Sequence, residues 1–161
     1  MIKIGVMSDN HGNFEFIKKA LEILGEIDYL FHLGDYLGKK STLEEMTDAN
    51  IYLLLGNMDY RLKDGVDEIT TTIEGKRIFA SHGHDYHVKR QLNIIFCKGK
   101  EEEADIVLFG HTHVPYLEEV EGILMMNPGS VRYPNGMYHP SCGLITIQNN
   151  RVTGEIKYLN I

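Results

Sequence analysis

The stretch Ile2-Lys3-Ile4-Gly5-Val6-Met7-Ser8-Asp9-Asn10-His11 sets the reading of this chain: a short apolar run ends in a carboxylate and an imidazole two residues apart. Four further runs end in the same manner. Phe31-His32-Leu33-Gly34 precedes Asp35, Leu54-Leu55-Gly56 precedes Asn57, Ile78-Phe79-Ala80-Ser81 precedes His82, and Val107-Leu108-Phe109-Gly110 precedes His111 and His113. In an open α/β sheet, residues just past the carboxyl ends of parallel strands gather along one edge, where such folds build their sites. Seven polar side chains then converge, and their chemistry predicts a dinuclear metallohydrolase.

The surrounding pattern supports a β-loop-α start. Ile2 to Ser8 reads as a buried strand, and Phe14, Ile17, Leu21 and Leu24 then recur at helical spacing. Tyr29 to Leu33 and Ile51 to Leu55 are further strands, and Ser41-Thr42-Leu43-Glu44 reads as a capping box at a helix start. Val88, Leu92, Ile95 and Phe96 predict a second long helix, with Lys89, Arg90 and Lys98 outside and a solvated charge run from Lys98 to Glu103 at its end. Turn residues between β-prone runs at Glu74-Gly75, Glu121-Gly122 and Asn149-Asn150 predict hairpins, and Val152, Ile156 and Tyr158 alternate as in a half-buried strand. Parallel units followed by antiparallel ones suggest two sheets packed face to face with helices outside.

The 161 residues fit one domain, 1–161. Sixteen Lys and Arg against 23 Asp and Glu give a formal charge of -7, which argues against a stable nucleic-acid complex held by phosphate attraction. An anionic substrate stays compatible, because bound divalent ions would set the local field. Cys97 and Cys142, placed in a helical run and a turn-like stretch, have no metal or redox spacing. Met1 to Met7 is too short for a signal peptide and no apolar stretch approaches the ~18 residues of a span, so a cytoplasmic protein without membrane contact is expected. A homo-oligomer is left open.

Imidazole, carboxylate and amide ligands without thiolate favour Mn, Fe, Co, Ni or Zn over Ca or structural zinc. Seven ligands are too many for one tetrahedral centre. Glycines at Gly34, Gly56 and Gly110 are expected to give the backbone freedom for a sharp strand exit. Asn10, Asn57 and His84 are candidate substrate contacts, while His32, His87 and His139 read as structural or solvated. The Asn127 to Ser130 turn is a candidate support for the ligand loops.

Asp9-x-His11, Gly34-Asp35, Gly56-Asn57-x-Asp59, Ser81-His82-Gly83-His84 and Gly110-His111-Thr112-His113, followed by Asn127-Pro128-Gly129-Ser130, together resemble the calcineurin-like metallophosphoesterase family. Within it the motifs resemble the small YfcE-type phosphodiesterase branch. The resemblance implies a four-layer α/β/β/α sandwich of two mixed sheets, with metals at one sheet edge. It implies that Asp9, His11, Asp35 and His113 hold one ion and Asp35, Asn57, His82 and His111 a second, Asp35 bridging. Asp35, Asn57 and His82 are then the residues closest to catalysis, with a bridging hydroxide attacking phosphorus in line. Two divalent transition-metal ions are implied, Mn2+ first, with Ni2+, Co2+, Fe2+ or Zn2+ as alternatives, acting on a small phosphodiester.

Two departures qualify the likeness. Met58 stands where many members carry a His that protonates the leaving group, which favours diesters with good leaving groups; His87 or His139 could supply a proton if its loop folds inward. Asn135 stands where the branch commonly has Arg after Pro, leaving Arg132 as the possible substitute. A phosphomonoesterase and a non-catalytic protein-interaction scaffold on the same fold are the competing readings.

Overall fold

The strands of this protein alternate apolar side chains toward two different cores, which is why they read as nearly unbroken apolar runs. In β1 (Ile2–Met7), Ile4 and Val6 face one buried cluster and Met7 another. β2 (Tyr29–His32) sends Phe31 to the first cluster and Leu30 to the second. The computed structural model describes residues 1–60, 62–134 and 138–159.

Sheet one contains β1, β2 and β3 (Asn50–Leu53), which run parallel, and β9 (Ser141–Gln148) and β10 (Arg151–Tyr158), which form an antiparallel extension beside β1 in the order β10-β9-β1-β2-β3. Sheet two has the order β4-β5-β6-β8-β7. There β5 (Lys76–Ser81), β6 (Ile106–Leu108) and β8 (Ile123–Pro128) are parallel, while β4 (Glu68–Ile73) and β7 (Pro115–Val120) pair antiparallel at the edges. Ile4, Val6, Phe31 and Leu54 meet Ile78, Ala80, Ile106, Leu108 and Met126 between the sheets. Outside sheet one pack α1 (Phe14–Leu24), through Ile17, Ala20 and Leu24, and α2 (Lys40–Glu44), through Leu43. Outside sheet two, Ile95 of α3 (Asn93–Glu101) packs among Phe79, Val107 and Met125. The result is the expected four-layer α/β/β/α sandwich, and among the described residues no helix is long and apolar enough to cross a membrane.

Four local expectations need correction. The capping box does not form, because α2 already starts at Lys40, behind an N-cap Lys39 that makes no side-chain cap, so Ser41 lies inside the helix. The helix expected from Val88 starts only at Asn93. His87, in the left-handed region at φ 54°, ends a short 3-10 turn at His84–Tyr86, and buried Val88 fills the space over Gly83 instead of a helix face. Cys142 is a buried strand residue of β9, not part of a turn. Tyr158 is exposed, while Val152 and Ile156 pack against the core as their alternation predicts.

Candidate metal centre

Five of the candidate ligands, Asp9, His11, Asp35, His111 and His113, occupy the left-handed region with φ between 45° and 71°. Non-glycine residues avoid this conformation, and such strain persists only where surrounding bonds enforce it. Here the enforcing bonds are visible. Asp9 N–H donates to Gly34 O and His11 N–H to Asp35 O, tying the loop after β1 to the loop after β2. Gly110 N–H donates to His82 O, joining the loops after β5 and β6. Ser130 Oγ, past the end of β8, donates to Asp9 O, and Val131 N–H to Ser8 O.

Of the three glycines expected to supply backbone freedom, Gly34 alone has positive φ, at 111°. A Cβ there would come within 2.6 Å of Gly56 N and 2.8 Å of His82 Nδ1. Gly56 and Gly110 serve by their lack of a side chain, since added Cβ atoms would collide with the Asp35 carboxylate and with Ser8 Oγ.

Two groups of three ligand-type residues result: Asp9, His11 and His113, and Asp35, His82 and His111. Imidazole nitrogens face each other within both, with His11 Nε2 3.4 Å from His113 Nε2 and His82 Nε2 3.2 Å from His111 Nδ1. His82 Nδ1–H donates to Leu33 O, and His113 Nδ1–H to Tyr133 O. Those bonds leave both Nε2 lone pairs turned inward, the orientation that metal-ligating histidines adopt. Asp35 Oδ2 links the groups, at 3.4 Å from His82 Nε2 and 3.7 Å from His11 Nε2.

A cation fits this donor set. Asp9 is fully buried, and its Oδ2 accepts from Ser8 Oγ and His111 N–H. Its Oδ1 has no hydrogen bond and lies among the ring nitrogens of His113, His11 and His82 at 3.2, 3.8 and 3.8 Å. Buried carboxylate oxygens are rarely left so. Burial opposes ionisation of Asp9, yet the imidazoles of His11 and His113 hold its carboxyl well below the usual range. Burial likewise works against the His82 imidazolium, but Asp35 and Asp9 outweigh it and raise its pKa, while the Asp9 carboxylate beside His113 raises that of His113. Burial pushes His111 down to about 4, leaving it neutral at physiological pH.

Histidines with raised folded-state pKa stabilise the metal-free fold fully below the ordinary value near 6.5, and that contribution is lost as pH rises through their folded pKa. Metal binding must displace those protons, so affinity rises across the same window. The increase in melting temperature on adding Mn2+ to chelator-treated protein is therefore expected to grow between about pH 6 and pH 8. A constant increment in differential scanning fluorimetry would show that His82 and His113 do not exchange protons for metal.

The remaining candidates have distinct places. Asn57 is exposed at the rim, in the turn whose next amide, Met58 N–H, donates to Asp35 Oδ1. His84 lines the cleft, its ring 5.4 Å from that of His82 and 6.1 Å from that of His111, with a buried Nδ1 lacking any partner. Asn10 does not fit the expected phosphate contact. It is fully buried, its amide nitrogen donating to Tyr36 O and its Oδ1 accepting from His32 Nε2. Burial pushes the His32 pKa down to about 3, and Gly34 N–H donates to its Nδ1, so the pair is a neutral brace beneath the ligand loops. Arg132 stacks between the rings of Phe16 and Tyr133, at 4.8 and 4.7 Å, and Asn135 lies outside the described residues.

Sequence reading understated Asp59. This buried carboxylate accepts from the amides of Asp35, Tyr36 and Gly56 at Oδ2 and of Leu37 at Oδ1, clamping the loops after β2 and β3 together. Its place in the motif was visible, but its four partners are set by folding. Asn127 supports the other side, donating to Gly110 O and Thr112 Oγ1, as expected of its turn.

Residues 2–150 match the calcineurin-like phosphoesterase superfamily domain. The chain belongs to this family. A probable metallophosphoesterase of Bacillus subtilis is 33% identical over 153 residues, which span 92% of this chain and 86% of that protein. Phosphodiesterase YfcE of Escherichia coli is 26% identical over 168 residues, spanning 90% and 88%. The crystal structure of a predicted phosphoesterase from Streptococcus pneumoniae superposes with a TM-score of 0.83 at 30% identity, covering 96% of this chain and 88% of that one. A single mutant of Vps29 from Entamoeba histolytica, with a TM-score of 0.78 and 20% identity over 99% of this chain and all of that one, shares the fold alone. This calcineurin-like phosphoesterase thus combines a metal-dependent family's fold with two candidate metal-binding clusters.

Proposed function

We propose that this protein is a dinuclear metal-dependent phosphodiesterase acting on small phosphodiesters. The observation that carries the reading is the position of Asp35 Oδ2, 3.4 Å from His82 of one cluster and 3.7 Å from His11 of the other. Asp9, His11 and His113 would hold one divalent ion, His82, His111 and Asn57 the second, and Asp35 both. Such a pair, when bound, neutralises charge developing on phosphoryl oxygens and lowers the pKa of coordinated water toward ~7. The chain's own residues orient and screen. The backbone bonds of His82 and His113 fix their rings, and Ser8 and the His111 amide fix Asp9. His84, whose ring lies beside those of His82 and His111, and the exposed Asn57 would be the contacts to the phosphoryl group.

The test is a matrix of aryl diesters, aryl monoesters, cyclic dinucleotides and nucleotides against Mn2+, Ni2+, Co2+, Zn2+ and Mg2+ on metal-stripped protein. Fastest turnover is expected for aryl diesters with Mn2+. No hydrolysis with any metal would sink the reading, and faster monoester turnover would favour the phosphomonoesterase.

Met58 adds a sharper expectation. Its side chain is 47% exposed at the rim and carries no transferable proton, so rates are expected to depend steeply on leaving-group acidity. Met58→His would supply a donor without a carboxylate to orient it, because Asp59 is already committed to four amides. Its gain for alkyl leaving groups is therefore expected near the lower end of the ~10²–10⁴-fold range for positioned proton transfer. Rate plotted against leaving-group pKa checks this: equal slopes for the two proteins would make Met58 a passive wall.

A further inference from the structure

Beside the metal cluster lies an open surface recess of about 440 Å³ whose lining includes His11, Phe14, Glu15 and Tyr133. Tyr133 is unusual for a surface aromatic in being fixed from several sides while 49% exposed. Its N–H donates to Ser130 Oγ at 2.7 Å, its carbonyl accepts from His113 Nδ1, and its ring meets His11 edge-on at 5.8 Å between centroids. The Arg132 guanidinium lies over the ring and is itself stacked on Phe16. Phe14, in the same lining, is also held, packing edge-on against buried Tyr36 at 5.6 Å. An exposed aromatic side chain costs little entropy to use when it is already held in place.

Resting on the phosphodiesterase reading above, we propose that this recess is a subsite for a flat aromatic substituent of the diester, of the nucleoside or aryl class, stacked on Tyr133. Phosphorus at the clusters would put one ester substituent beside His11, within reach of the ring. The Glu15 carboxylate in the lining disfavours a second phosphate there and accepts hydrogen bonds from neutral donors such as sugar hydroxyls. The substrate class is therefore an aromatic monoanionic diester in preference to a pyrophosphate.

The test compares dissociation constants of thymidine 5′-monophosphate and methyl phosphate by calorimetry on the Mn2+-loaded protein. The wild type is expected to prefer the nucleotide, and Tyr133→Leu to shrink that ratio about tenfold, within the range for loss of base stacking on an aromatic side chain. Tyr133→Phe keeps the ring and is expected to keep the ratio. Equal affinities in the wild type, or an unchanged ratio in Tyr133→Leu, would overturn the subsite. Hydrolysis of thymidine 5′-(p-nitrophenyl phosphate) is followed in parallel. An inactive wild type with the Tyr133-dependent preference intact would remove the catalytic reading and keep the subsite, whereas an active enzyme lacking the preference would do the reverse.

Discussion

Asp35→Ala is expected to leave the purified protein with well under one equivalent of metal, whereas His11→Ala is expected to retain about one. The asymmetry follows from the carboxylate's position. Asp35 Oδ2 lies 3.4 Å from a nitrogen of one cluster and 3.7 Å from a nitrogen of the other, so its loss removes an anionic donor from both, while His11 belongs to one. Phosphodiester turnover should fall by about 10³-fold or more, the rate equivalent of about 4 kcal/mol of transition-state stabilisation. Elemental analysis after dialysis decides the structural part independently of activity. Two full equivalents in Asp35→Ala would refute a shared carboxylate, and equal losses in both variants would remove the distinction between the two clusters.

The largest expected effect on stability is at Asp59. Asp59→Ala leaves the amides of Asp35, Tyr36, Gly56 and Leu37 without their acceptor in a mostly buried loop junction. Each stranded buried donor costs about 1–3 kcal/mol where water cannot reach it. Partial relaxation brings the expected total to about 3–5 kcal/mol, the usual range for breaking a buried charged network. For a chain of this size that corresponds to a fall of about 10 °C in melting temperature. Asp59→Asn keeps one acceptor oxygen and should recover part of the loss. Because Asp35 N–H is among the bonded amides, metal affinity should fall together with stability. Melting temperatures within about 1 °C of wild type for the chelated alanine variant would show the clamp to be dispensable.

Fold class was legible because both faces of the parallel strands are covered. Val6, Phe31 and Leu108 face the space between the sheets, while Met7, Leu30 and Val107 face helices, so the runs are apolar throughout and their ends are easy to mark. The hairpins were legible from their turn residues, and Glu74, Gly75, Glu121, Gly122, Asn149 and Asn150 all adopt the positive φ such turns require. The start of α3 was not. Val88 carries an apolar signal in phase with a helix, but its burial is over Gly83, and the left-handed His87 interrupts any helix before it. The misread capping box has a similar cause: the Ser-x-x-Glu spacing is a local preference, and packing of Leu43 set where α2 begins.

By itself the sequence determined the order of strands and helices, the points where strands end, and the candidate ligand side chains at those points, because side-chain type and hydrophobic period are properties of the chain. Tertiary structure alone decided which loops meet. It placed Asp35 Oδ2 between His82 and His11, left Asp9 Oδ1 without a partner among three imidazoles, turned Asn10 onto His32, and gave Asp59 four amides. These are contacts between residues as many as 104 positions apart, as between Asp9 and His113. Their distances depend on sheet order and loop closure, which no local pattern of residues encodes.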